Sequence, residues 1–265
     1  YRIYKINKNN GNIKRPKFVT NLVKKIKPDE IYYLAAYHHS SEEKTKSTFN
    51  EKFFNETMQI NVNAVIFFLE AITKFSPKTR FFYASSSLIF SPSKLKHNEN
   101  TEINPSSYYG ISKVAGMIAC RYFRKFKNVF ASVGILYNHE SSLRKKNFLS
   151  KKVVKTAYEI YRKKRRYLEI GNLNSRIDWG YADDYVDAMV KIIKLNKAND
   201  FIVASGKSYS VREFVKKTFD SFGLNYNKHV KINPKILKQN NYGTRIGDAS
   251  RLRKLTGWKP RVNFN

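Results

Sequence analysis

Cysteine occurs once in the 265 residues, at Cys120. A single thiol excludes an internal disulfide and a metal cluster built on cysteines, and it sets a reducing, cytoplasmic environment as the expectation. Cys120 stands in an apolar stretch and reads as core packing. No run of about 18 apolar residues occurs, so no membrane-spanning helix is predicted. The opening Tyr1-Arg2-Ile3-Tyr4-Lys5 has no apolar core and no small-residue cleavage site, which does not fit a signal peptide. It also lacks an initiator Met, so the chain is expected to begin partway into a longer protein. Glycine is scarce early on: Gly11 stands alone before Gly110.

Acidic residues are scarce as well. Asp and Glu number 20 against 51 Lys and Arg, a net charge of +31. Three readings compete: a coding bias toward Lys and Asn, steering of a doubly charged pyrophosphate compound, and phosphate neutralisation on nucleic acid. The basic residues are spread along the chain, with short clusters at Lys24-Lys25, Lys145-Lys146, Lys151-Lys152 and Arg162 to Arg166. No nucleic-acid motif accompanies them, so nucleic acid is the least favoured partner.

What is present is a globular pattern, 42% hydrophobic. Thr20 to Lys27 reads as the end of an amphipathic helix stopped by Pro28. Ile31 to Ala35 and Arg80 to Ala84 read as buried strands, and Phe53 to Lys74 as a long helix between them. Ser91 to Pro105 reads as a polar loop, Ser107 to Phe126 as a helix, Val129 to Leu136 as a strand and Asn147 to Lys164 as a helix. Farther on, Tyr167 to Ile170 and Phe201 to Ala204 read as short strands, and Ala182 to Leu195 and Val211 to Phe222 as helices. From Lys231 the chain is polar and loop-rich until Asp248 to Leu255. Strands alternating with helices predict parallel strands joined by helical crossovers, a doubly wound α/β sheet. The looser second half reads as a smaller α/β lobe.

The sharpest local signal is Tyr109-Gly110-Ile111-Ser112-Lys113. Tyr109 and Lys113 are four apart and share a helix face. An ammonium beside a phenol is expected to lower the Tyr pKa, and a phenol so tuned exchanges a proton with a substrate hydroxyl. Upstream, a buried strand ends in Ala84-Ser85-Ser86-Ser87, at the edge where open α/β sheets place their chemistry. Ser86 can hydrogen-bond the oxygen that Tyr109 deprotonates.

Ser86, Tyr109 and Lys113 together resemble the triad of short-chain dehydrogenases. Downstream segments narrow the resemblance to the GDP-mannose 4,6-dehydratase family. They are Gly134-Ile135-Leu136-Tyr137-Asn138-His139-Glu140-Ser141, Asn147-Phe148 with Lys151-Lys152, and Gly171-Asn172-Leu173-Asn174-Ser175-Arg176-Ile177-Asp178-Trp179-Gly180. Asp184-Tyr185-Val186, Ser210-Val211-Arg212-Glu213-Phe214-Val215 and Gly257-Trp258-Lys259-Pro260-Arg261-Val262 extend it to the end. The resemblance implies a Rossmann-type sheet whose first βαβ unit is not represented, with residues 1–137 as a truncated NAD(P)-binding domain. Residues 138–265 are then mainly a substrate-binding lobe, with part of 165–204 returning to the first domain.

The resemblance also implies a reaction on GDP-mannose or a related nucleotide hexose, with NADP, or NAD, as a catalytic cofactor. The 4-hydroxyl is oxidised, water is lost across C5 and C6, and hydride returns to C6, giving a 4-keto-6-deoxy sugar. Ser86, Tyr109 and Lys113 are the implied catalytic residues. Leu34, Ala35, Ala36, Ala84, Tyr109, Lys113 and His139 are the implied cofactor contacts. Ser86, Asn138, Asn147, Lys152, Arg176 and Arg212 are the implied substrate contacts, and no metal is called for. Homodimers or homotetramers are implied too.

Three departures stand out. Relatives carry Glu two residues after the catalytic hydroxyl, and that position is Leu88, which cannot take a proton. Glu99 and Glu102, in a polar loop and expected to be solvated, are the nearest substitutes in sequence, with His139 and Glu140 as other bases. No glycine-rich loop is present to cradle a pyrophosphate. The family's Arg and Glu near the nucleotide correspond to Lys238 and Asn241. A nucleotide-sugar 4-ketoreductase or epimerase, which needs no elimination, is the alternative enzyme. A non-catalytic nucleotide-sugar-binding protein is the alternative outside catalysis.

Overall fold

The computed structural model describes residues 2–38, 50–234 and 244–264. Three helices and three strands lead to the site: helix α1 (Pro16–Ile26), strand β1 (Glu30–Tyr33), helices α2 (Glu51–Met58) and α3 (Ala64–Phe75), strand β2 (Arg80–Ser86) and strand β3 (Ala131–Leu136). Helix α4 (Tyr108–Phe126) crosses from β2 to β3. With the strand Asp200–Val203 they form a four-stranded, wholly parallel sheet in the order β1, β2, β3, Asp200–Val203. All six residues of β3 are buried, as a central parallel strand covered on both faces demands. This is the doubly wound Rossmann-type α/β architecture.

Local chemistry sets the helix ends. Pro16 opens α1, where a missing N–H costs nothing, and Lys27 closes it in the left-handed conformation (φ 44°) before Pro28. Asn50 caps α2 by accepting from the Phe53 N–H at 2.9 Å, and Ser107 caps α4 through the Gly110 N–H at 3.1 Å.

The single helix expected over Phe53 to Lys74 is instead broken by a π-turn at Gln59–Asn63. The extra residue in that turn re-aims the chain and drives Asn61 fully inside. The strand expected to reach Ala35 stops at Tyr33, and Leu34 beyond it is 52% exposed. It ends there because the sheet's ladder pairs β1 to β2 only as far as Tyr33 with Tyr83.

Two separate apolar cores result. The larger lies around the sheet and takes in Val19, Leu69, Phe82, Met117, Ile192 and Trp258. Helices α1, α3 and α4, helix α6 (Ala182–Ile193) and the helix Ser250–Thr256 contribute to it. Cys120 is among its fully buried residues. The smaller core lies among helix α5 (Leu149–Tyr161), helix α7 (Val211–Asp220) and the short strand Leu168–Ile170. Val153, Trp179, Val215 and Phe219 fill it. Helix α7 starts with a reciprocal capping box between Ser210 and Glu213. Three short strand pairs tie this region together: Leu168–Ile170 with Val230–Ile232, Asn138–Glu140 with Trp179–Tyr181, and Arg176–Ile177 with Tyr209–Ser210. No helix among the described residues is long and apolar enough to cross a membrane.

Candidate active site

Strand β2 ends at Ser86, and α4 begins beside it, so the carboxyl edge of the sheet and a helix start converge. The Ser86 hydroxyl accepts from the Leu88 N–H at 3.2 Å, which fixes it at the strand end. It also faces the Tyr109 phenol closely enough to pull the phenol's pKa down. Burial dominates, however, and pushes Tyr109 up to about 12, with Ser86 and the Arg144 guanidinium opposing. The sequence expectation of a lowered Tyr pKa is thus reversed here by burial, with no lowering from Lys113. Its Nζ is 5.6 Å from the Tyr109 ring centre and donates instead to the Ala84 carbonyl at 2.8 Å. Lys113 is 2% exposed, and burial brings its pKa down to about 7, so much of its charge is lost at neutral pH.

A buried network holds these residues from behind. Asn61 donates to the Ser112 hydroxyl at 2.9 Å and accepts from the Tyr37 N–H at 3.0 Å. Ser112 donates in turn to the Tyr109 carbonyl at 2.8 Å. The Tyr83 hydroxyl donates to the Asn61 carbonyl at 3.1 Å. That contact needs Gly116, because a Cβ there would stand 2.3 Å from the Tyr83 oxygen. Sequence reasoning passed over Asn61, which nothing in the sequence sets apart from the neighbouring amides Asn55, Gln59 and Asn63.

A cleft of about 420 Å³ lies alongside, walled by Ala36, His38, His139, Arg144, Asn147 and Phe148 among others. Of the residues singled out from sequence, Ala36, His139 and Asn147 meet here. His38 links the cleft to the triad: its ring packs on Tyr109, with 4.2 Å between centres. His139 donates through Nδ1 to the Tyr137 carbonyl (2.8 Å) and stacks on Tyr185, and burial lowers its pKa. Arg144 lies over the Phe148 ring at 3.9 Å and pairs with Glu140 at 3.0 Å. Sequence reasoning did not single out His38 or Arg144 either.

The remaining residues lie apart from this cluster. Leu34 and Ala35 are exposed just beyond β1. Asn138 is exposed and pairs with Trp179 in a short parallel bridge. Lys152 is half-buried on α5. Arg176 donates to the Ser208 carbonyl at 2.7 Å, and Arg212 donates to the Asn174 side chain at 3.1 Å. Neither arginine lines the cleft. Lys238 and Asn241 lie outside the described residues.

Among the carboxylates, Glu99 is not solvated as the polar loop suggested. Its side chain is 5% exposed, accepts from the Ile202 N–H at 3.0 Å and faces Arg251. An edge-strand N–H needed a partner, and Glu99 supplies it. Glu102 is exposed. Glu140 accepts from the Ser150 hydroxyl at 2.6 Å. Burial raises its pKa, against the pull of Ser150 and Arg144.

The family model for GDP-mannose 4,6 dehydratase matches residues 3–265. The GDP-mannose 4,6 dehydratase of Drosophila melanogaster is 32% identical over 93% of this chain and 66% of its own length. The chain thus spans just under two thirds of that relative. Among solved structures, RMD from Pseudomonas aeruginosa, complexed with NADPH, superposes with a TM-score of 0.83 at 20% identity. It covers 95% of this chain and 81% of its own. The dTDP-glucose 4,6-dehydratase of Bacillus anthracis, in complex with NAD, gives 0.80 at 18% identity, over 96% and 75%. Those two structures share the fold. The sequence match, running through the Ser86, Tyr109 and Lys113 cluster to the chain's end, shows that the chain belongs to the GDP-mannose 4,6-dehydratase family.

Proposed function

We propose that the protein converts GDP-mannose, or a related nucleotide hexose, to its 4-keto-6-deoxy form with catalytic NADP, NAD being the alternative. The observation that carries this reading is the convergence of Ser86, Tyr109 and Lys113 at the sheet's carboxyl edge in a member of this family. Ser86 and Tyr109 would bind the sugar's 4-oxygen, and Tyr109 would take its proton. A phenol at about 12 in the free site is a weak proton acceptor at neutral pH. The Ser86 hydroxyl and Arg144 are the groups that lower it, and a substrate that turns Lys113 from the Ala84 carbonyl toward the phenol would lower it further.

The residues present fit the nicotinamide half of the cofactor. Leu34, Ala35 and Ala36 are exposed and apolar just past β1, suited to a flat ring, and Ala84, Lys113, Tyr109 and His139 would supply the other contacts. Lys113 would hold the ribose. When bound, NADP would supply hydride acceptance at C4 and its return at C6. Asn138, Asn147, Lys152, Arg176 and Arg212 would meet the sugar and diphosphate. We assign residues 1–137 to the cofactor lobe and 138–265 mainly to the substrate lobe, with part of 165–204 returning to the first. The separate smaller core around α5 and α7 supports that division, as does the place of Asp200–Val203 in the main sheet.

Two accompanying readings belong with this one. A reducing, cytoplasmic setting suits the single buried thiol. Self-association into dimers or tetramers is supported by an exposed stripe on α4. There Ile111, Ile118, Tyr122 and Phe126 are each 43% to 62% exposed on one face.

The test is to titrate the chain with NADPH by nicotinamide fluorescence, then to supply NADP and GDP-mannose and follow the sugar by NMR. Micromolar cofactor binding and a 4-keto-6-deoxy product are expected. Tyr109→Phe should lower turnover by about 100-fold or more while GDP still binds. No binding at millimolar NADPH would overturn the reading. A product that keeps its 6-hydroxyl would favour the 4-ketoreductase or epimerase, the reading that Leu88 supports.

A further inference from the structure

We propose that the C-terminal end of α5 is a docking surface for an anionic lipid bilayer. Helix α5 is apolar on two sides, where a surface helix needs one. Val153, Ala157 and Ile160 pack into the smaller core. Val154, Tyr158 and Tyr161, spaced by four and three residues along another face, are 41% to 57% exposed. Tyr158 and Tyr161 lean on the half-buried Phe222, at 6.2 Å and 6.0 Å between ring centres.

Directly after this face come Arg162, Lys163, Lys164, Arg165 and Arg166, consecutive cations that are all exposed. Lys163 is in the left-handed conformation (φ 56°), which ends the helix there. Glu159 is the one acid between Arg144 and Arg166. It pairs with Lys155 at 3.2 Å and with Arg165 at 3.5 Å, so among the described residues no ion pair engages Arg162, Lys163, Lys164 or Arg166. Lys231 adds a further cation at the same end. Its Nζ lies 3.6 Å from the Tyr167 ring centre, and the Arg166 guanidinium lies 5.1 Å from it.

A bilayer rich in anionic headgroups fits both halves of this patch. Its charge complements the cationic run, and clusters of about four to eight Lys or Arg beside an amphipathic helix are drawn to such surfaces. The apolar layer beneath the headgroups takes the exposed rings, since Tyr has an apolar body and a polar tip suited to that boundary. A second copy of the chain would bring the same cations against themselves. A nucleic-acid strand would need open ring faces for its bases, and Lys231 covers that of Tyr167. The contact is peripheral, because no described helix is long and apolar enough to cross a membrane. Helix α5 starts next to the cleft residue Phe148 and runs for 13 residues, so the patch stands about 20 Å from the cleft.

The experiment is sedimentation of the chain with vesicles at about 0.15 M salt. Binding is expected to vesicles of phosphatidylcholine mixed with phosphatidylserine, and none to phosphatidylcholine alone. Arg162→Gln, Lys163→Gln and Lys164→Gln made together should weaken binding about 100-fold. Lys24→Gln, Lys25→Gln and Lys27→Gln made together remove the same charge from the end of α1, on the larger core, and should change binding by less than about 3-fold. All six side chains are exposed, so both variants are expected to fold, and circular dichroism verifies this. Tyr161→Trp should lose its fluorescence in mixed vesicles that carry a brominated lipid, for Trp179 and Trp258 are buried. Absence of binding to mixed vesicles would overturn the proposal. Equal losses in the two triple variants would overturn it too, since diffuse charge alone would then account for binding. A bound but unquenched Tyr161→Trp variant would overturn the seating of the aromatic face. Saturable binding of an oligodeoxythymidine at this salt, without vesicle binding, would overturn it in favour of nucleic acid. Neither readout uses turnover, so the outcome is independent of the catalytic reading.

Discussion

Lys113 donates through Nζ to the carbonyl of Ala84 at 2.8 Å, inside the protein and under the phenol it was expected to serve. A lysine held there prefers to be neutral, and burial lowers its pKa from 10.5 to about 7. The unfolded chain therefore binds more protons than the folded one between pH 7 and 10.5. Stability contributed by this group rises with pH across that window, at up to about 1.4 kcal/mol per pH unit. Urea unfolding of the wild type and of Lys113→Met from pH 6.5 to 9.5 reads this directly. The difference between the two should grow in favour of the wild type as pH rises. Burial raises the pKa of Cys120 and Tyr109 as well, but both residues are present in both chains. Parallel curves would mean that the ammonium is retained inside.

Asn61 joins the two halves of the site's support. Its amide holds Ser112, directly before Lys113, and its carbonyl oxygen holds the Tyr37 N–H, directly before His38. Asn61→Ala removes both bonds and leaves a buried hydroxyl and a part-buried N–H short of partners. A loss of about 2–3 kcal/mol in urea unfolding is expected. Leu69→Ala, in α3 but outside the network, is the comparison, at a cost of about 2–5 kcal/mol from core packing alone. Only Asn61→Ala should alter NADPH affinity, because it alone releases the Tyr37 backbone between Ala36 and His38 of the cleft wall.

The large elements were legible because their signals are local. The apolar runs at Arg80 to Ala84 and Val129 to Leu136, and the Tyr109–Lys113 spacing, depend on few distant contacts. The π-turn at Gln59–Asn63 was not legible, since no residue there forces it. What selects it is the satisfaction of Asn61 by Ser112 and Tyr37, which come from segments far off in sequence. Glu99 misled for the same reason: its neighbours are polar, and its partner Ile202 lies 103 residues away. The charge state of the triad was read with the wrong sign because spacing along a helix does not reveal burial. The cleft wall at His38 and Arg144 required the fold, for it is assembled from the end of β1 and the loop before α5.

Asp184 carries the closing segment of the described chain. Its carboxylate is 1% exposed and accepts from the Arg261 and Val262 N–H groups at 2.9 Å each, and from Arg261 Nε at 3.1 Å. Its backbone carbonyl accepts from the Trp258 indole at 2.9 Å. The Arg261 side chain is 71% exposed, so its ion pair contributes less than about 1 kcal/mol. The two backbone bonds to a buried carboxylate are worth more, about 1.5–3 kcal/mol each net of exchange with water. Asp184→Ala is therefore expected to lower stability by about 3 kcal/mol, while Arg261→Ala costs less than about 1 kcal/mol. Asp184→Asn should fall near the alanine variant, because one amide end turns a donor toward N–H groups. Urea midpoints read by the fluorescence of Trp179 and Trp258 measure all three. Equal losses for Arg261→Ala and Asp184→Ala would show that the exposed ion pair, rather than the backbone bonds, fastens this segment to α6.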